Sequence, residues 1–104
     1  MQALTVTHHA QERQTQRNLS MDDVQFVWDN GRRYRCAGAL HVFLGRRDLP
    51  GDKATYQRFA HLEGTTLVLD DQYINPVLIT VYRNRRGTKQ IRRKSKYERY
   101  QHAW

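Results

Sequence analysis

His9, Arg13 and Arg17 stand four residues apart in a stretch, residues 7–17, that is almost wholly polar. Four residues make slightly more than one helical turn, so on a helix the three line one broad face. An imidazole that titrates near neutrality beside two guanidiniums suits a phosphate. Metal-free cleavage of a ribose phosphodiester needs a base for the 2′-hydroxyl, an acid for the leaving oxygen, fixed positive charge and in-line positioning. His9 offers the base or the acid, and Arg13 and Arg17 offer forked, charge-assisted bonds to the phosphate. Against this stands a purely structural reading. In it His9 caps or packs, Arg13 pairs with neighbours of Glu12 or with an acidic loop, and Arg17 pairs with Asp22 or Asp23.

The helix that would carry these residues has no apolar stripe, so burial alone cannot hold it and its polar groups need partners or solvent. Thr7 suits its N-cap and Asn18 its left-handed stop. Residues 2–6 alternate and predict a short first strand or an extended lead-in. Ser20 opens a second helix, with Asp23 three residues on as in a capping box and Asp22 and Asp23 at the positive end of the dipole. Met21, Val24, Val27 and Trp28 form its core stripe, and Asn30-Gly31 stops it. Trp28 is read as core rather than as a platform for a base.

From Arg32 the period becomes two. A strand is expected over 33–37, a bend at 37–39 and a second strand over 40–46, with Tyr34 and Cys36 on the parity that Leu40, Val42 and Leu44 continue. Cys36 reads as a small buried hydrophobe, and His41, on the opposite parity, as a half-exposed strand residue. Arg46 and Arg47 leave the end of that strand in a loop over 45–52. Such a place suits ligand contact, or equally a solvated turn with a local Arg–Asp pair. Residues 53–63 fit a short helix. Strands follow over 65–70 and 78–82, joined by a turn containing Asn75-Pro76, most simply as an antiparallel hairpin. Two helices and three or four antiparallel strands, with one sheet face to cover, predict an α+β two-layer domain.

At 104 residues the chain fits a single domain. With no apolar leader and no long apolar run, it reads as soluble and cytoplasmic. Its single cysteine excludes an intramolecular disulfide, and no Cys-x-x-Cys or His-Glu-x-x-His spells out a zinc site. No metal or cofactor is implied. The net charge of +8 is unevenly placed. Residues 1–82 hold nine Lys/Arg and nine Asp/Glu, whereas residues 83–104 hold nine Lys/Arg and one Glu. A neutral domain, residues 1–83, thus precedes a cationic extension, residues 84–104. From Arg83 onward, Arg85, Arg86, Arg92, Arg93 and Lys94 lead into Tyr97, Tyr100 and Trp104, spaced for one helical face. Cations neutralise phosphates and aromatic rings stack on bases, so the mixture suits single-stranded nucleic acid. A solubilising extension, or an aromatic face packed on the domain, is the alternative.

Three stretches together resemble a known family. They are Thr7-x-His9-Ala10-x-x-Arg13-x-x-x-Arg17 with Leu19-Ser20-x-x-Asp23-Val24; Phe43-Leu44-Gly45-Arg46-Arg47-Asp48-Leu49-Pro50; and Leu62-Glu63-Gly64-Thr65 with Val68-Leu69 and Ile79-Thr80-Val81-Tyr82-Arg83-Asn84. Across residues 4–85 this is similar to the domain of unknown function 4258 family, placed near RelE/ParE-like toxins in the barnase-to-RelE nuclease superfamily. The resemblance implies a RelE-like fold of two N-terminal helices on an antiparallel sheet, and a metal-independent, toxin-like ribonuclease. It implies catalytic roles for His9, Arg13, Arg17, Thr80 and Tyr82, with Arg46 and Arg83 on the nucleic acid. Its expected partners are RNA or the ribosome, and an acidic antitoxin-like protein. A non-catalytic nucleic-acid-binding module, or a protein-interaction domain that has lost toxin activity, is the other expectation.

Overall fold

Thr7 opens the first helix as its side chain predicts. In the computed structural model, which describes residues 4–83, the Thr7 hydroxyl accepts from the Ala10 N–H at 3.1 Å and donates to the Ile79 carbonyl at 3.3 Å. One side chain therefore caps α1 (His8–Gln16) and pins it to the last strand. At the far end Asn18 takes φ 55°, and the Leu19 N–H returns to the Gln14 carbonyl at 2.8 Å. This is the left-handed stop that an Asn tolerates. α2 (Met21–Asn30) begins with the complete Ser20–Asp23 capping box. It ends where Gly31 passes so close to the sheet that a Cβ would lie 2.7 Å from both the Val27 carbonyl and Val42 Cγ1.

The strands are β1 (Thr5–Val6), β2 (Arg32–Cys36), β3 (Ala39–Phe43), β4 (Thr65–Asp70) and β5 (Val77–Arg83). They form one sheet in the order β1-β5-β4-β3-β2. β2 to β5 are antiparallel neighbours, while β1 runs parallel to β5. The sheet is therefore five-stranded and mixed, not the purely antiparallel three or four strands expected. The difference comes from residues 5 and 6, whose backbone pairs beside Val77 and Leu78. Residues 53–63, expected as one short helix, divide into α3 (Lys53–Phe59), capped by Asp52, and a 3-10 turn over Ala60–Leu62. A second 3-10 turn, Arg46–Asp48, shortens β3 at its end.

α1 lies against β5, and α2 against β4 and β3. Their buried side chains Ala10, Val24, Val27 and Trp28 meet Leu40, Val42, Leu44, Leu67, Leu69, Leu78 and Val81 in one core. Packed against it, Phe59 at the end of α3 stacks on Phe26 of α2 with ring centroids 4.0 Å apart.

Register fixes what the other face carries. The β2–β3 turn holds two residues, Ala37 and Gly38, both at positive φ, so Cys36 pairs with Ala39 and Tyr34 with His41. A two-residue turn places odd positions opposite even ones. Tyr34 and Cys36 therefore share a face with Ala39, His41 and Phe43, and not with Leu40, Val42 and Leu44 as their parity suggested. The same reverse face carries Thr66 and Val68 of β4 and Thr80 and Tyr82 of β5. His41, Thr66 and Val68 are fully buried there. His41 is thus no half-exposed strand residue, and the sheet has two buried faces instead of one. Among the described residues no helix lies over this second face. Cys36, expected as buried, is half-buried. The cationic extension, residues 84–104, with Arg85, Arg86, Arg92, Arg93, Lys94, Tyr97 and Tyr100, lies outside the described residues.

Candidate functional site

Burial of Ala10 and Gln14 sets the rotation of α1. Gln11, Gln14 and Thr15 border hollows that reach residues of α2. With 100° per residue, His9, Arg13 and Arg17 fall on the flank turned away from α2. His9 and Arg17 are exposed and Arg13 is half-buried. Arg13 Nη1 donates to Gln16 Oε1 at 3.1 Å, while its Nε–H is buried and makes no hydrogen bond among the described residues. The two adjacent histidines differ: His8 Nε2 sits 3.0 Å from Glu12 Oε1, one turn on, and His9 is left to solvent.

The carboxylates that a purely structural reading assigned to these arginines are engaged elsewhere. Asp23 closes the capping box, and Asp22 faces Arg58 at 3.6 Å. Arg35 and Asp71 form a two-bonded pair that holds the Asp71 carboxyl below the usual carboxylate range. Asp48 does not pair with its neighbours Arg46 and Arg47. Its Oδ1 takes Arg32 Nε at 3.0 Å and its Oδ2 takes the Gly45 N–H at 2.8 Å. Arg33 lies 4.3 Å over the Trp28 ring and donates to the Trp28 carbonyl, so Trp28 belongs to the core and its outer face is taken.

Thr80 and Tyr82 do not join the α1 flank. Val81 between them points into the core under the helices, so their side chains leave the sheet on the reverse face. The Thr80 hydroxyl is closed to solvent, the residue being 1% exposed, and has no hydrogen-bond partner among the described residues. Burial pushes the Tyr82 hydroxyl up to about 12. A phenol held so firmly neutral is a poor acid near neutrality. Arg83 is exposed and donates to the Glu63 carbonyl at 3.2 Å. The five residues given catalytic roles by resemblance are thus split between two surfaces.

A different grouping forms at the outer end of the reverse face. Arg32, Tyr34, Phe43, Gly45, Arg46, Arg47 and Asp48 border a hollow of about 330 Å³. β2 and β3 supply the rings and Arg32, and the turn after β3 supplies Arg46 and Arg47, both exposed. Asp48, only 10% exposed, braces the turn against β2. From sequence, Arg46 and Arg47 were legible here; Arg32, Tyr34 and Phe43 were not. The one signal that could have found them is the two-residue turn, which puts the rings on the side where the loop arrives.

Among the described residues no three His, Cys, Asp or Glu side chains gather as metal ligands, and no helix is long and apolar enough to cross a membrane. Compared with family models, curated proteins and solved structures, the chain matches none.

Proposed function

We propose that the chain is an RNA-directed domain of the RelE-like kind, which holds the phosphates of a single strand on arginines that have no acidic partner. The observation that carries this reading is a division among the arginines. Arg32, Arg35 and Arg58 each face a carboxylate, whereas Arg13, Arg17, Arg46 and Arg47 face none among the described residues. A guanidinium left unpaired at a surface is ready for a phosphate, and its fork suits two oxygens at once. An acidic antitoxin-like protein would compete for the same arginines.

The reading is tested by fluorescence polarisation of a labelled RNA 12-mer with the full chain over a range of salt. Each phosphate contact on a single strand adds about 0.7 to the slope of log affinity against log salt. Replacing Arg46 and Arg47 together with Ala lowers the slope by about 1.4. Absence of binding at low salt, or a slope untouched by this change and by Arg13→Ala with Arg17→Ala, overturns it.

Cleavage is the second reading, and the specific observation for it is His9, solvent-facing one turn from Arg13 while His8 is held by Glu12. It makes His9 the proton-transfer group and Arg13 and Arg17 the phosphate grip. RNA incubated with the chain in EDTA is degraded, and His9→Ala stops degradation without loss of binding. RNA left intact by a folded chain removes cleavage and leaves the binding function standing.

A further inference from the structure

Resting on the RNA-binding reading, we propose that the hollow between β2, β3 and the Arg46–Asp48 turn takes one unstacked nucleobase. Its own phosphates would lie on Arg46 and Arg47. Three features support this. The hollow, about 330 Å³, is roomy enough for a single base. Its walls include the Tyr34 and Phe43 rings, set on neighbouring strands and facing the same side of the sheet. Two exposed arginines without carboxylate partners among the described residues stand on its rim, so charge complementarity selects an occupant that is flat and apolar in the middle and anionic at the edge. A nucleotide in a single strand has that form, and a base inside a duplex cannot present its face in this way.

The hollow is also held open before anything enters it. Asp48 ties the turn to Arg32 on one side and to the Gly45 N–H on the other. Gly45 sits so close to the Phe43 ring that a Cβ there would lie 3.1 Å from it. The base therefore meets fixed walls and orders little on arrival, which favours binding.

The test uses the full chain and two RNA hexamers with the same number of phosphates, one intact and one lacking its bases. Stacking of one base on an aromatic ring accounts for roughly a fivefold or larger preference for the intact strand. Tyr34→Leu keeps an apolar wall and lowers that preference by at least about fivefold, with the salt slope unchanged. Phe43→Leu, checked for folding by its thermal transition, does the same. Arg46→Ala with Arg47→Ala weakens both hexamers by a similar factor and leaves the preference intact. Equal affinity for the two hexamers, or a preference that survives both ring replacements, overturns the base site while leaving phosphate binding in place. Failure of both hexamers to bind overturns the RNA-binding reading as well.

Discussion

At the scale of single residues, the α1 flank was legible because helical spacing needs only one element. His9, Arg13 and Arg17 lie where a four-residue period puts them, and Asp22 and Asp23 turn out to be engaged elsewhere. Thr80 and Tyr82 were not legible as neighbours of that flank, because the direction of a strand residue depends on which of its neighbours enters the core. Tyr82 offers a direct check on that placement. Its hydroxyl is pushed above the ordinary value near 10 to about 12, first by burial. The folded chain thus keeps this phenol neutral where the unfolded chain would ionise it. The resulting stability is full below pH 10 and is lost as pH rises through the folded value near 12. Titration by absorbance at 295 nm, comparing the chain with Tyr82→Phe, shows one tyrosine of the six ionising last, and that step missing from the variant. A Tyr82 that ionises together with the other tyrosines contradicts its burial.

At the scale of elements, caps and turns account for most of what the sequence announced. Thr7, the Ser20–Asp23 pair and Asn18 each work through contacts within a few residues, so local chemistry was enough to place both helices. The β2–β3 turn shows where local reading fails. Its two residues, and not a broader bend, reverse the parity of a whole strand, move Tyr34 to the face shared with His41, and assemble the aromatic hollow. Ala37 accepts φ 53° there, a conformation costing a residue with a Cβ roughly 1–2 kcal/mol. Gly31 marks a tight passage between α2 and the sheet. Gly31→Ala forces a Cβ against the Val27 carbonyl and Val42, and overpacking of that kind costs about 1–3 kcal/mol. The midpoint of urea unfolding falls accordingly with an unchanged slope; a midpoint equal to that of the parent chain removes the close approach.

At the scale of the whole molecule, the α+β class followed from the change of period along the chain, from 3.6 in the helices to two after Arg32. What pattern could not supply was the partner of the first strand. Two residues, Thr5 and Val6, carry too little alternation to announce parallel pairing, and their place is fixed only by β5, more than seventy residues later. Burial of the reverse face was likewise illegible. His41, Thr66 and Thr80 are polar types that a single sequence assigns to solvent, and only the assembled sheet shows them closed off. Charge, by contrast, was readable without any structure: the described domain is near balance, and the surplus stands after it.

The pairing of β1 with β5 has a consequence for the order in which the chain becomes a folded object. α1 is pinned by Thr7 to the Ile79 carbonyl, and β1 has no other neighbour in the sheet. During synthesis, a polypeptide halted after β4 already contains every group on the α1 flank but lacks the strand against which that helix chiefly packs. The arrangement of that flank against the sheet forms only when β5 has left the ribosomal tunnel, so a truncated translation product carries the residues of the flank without their geometry.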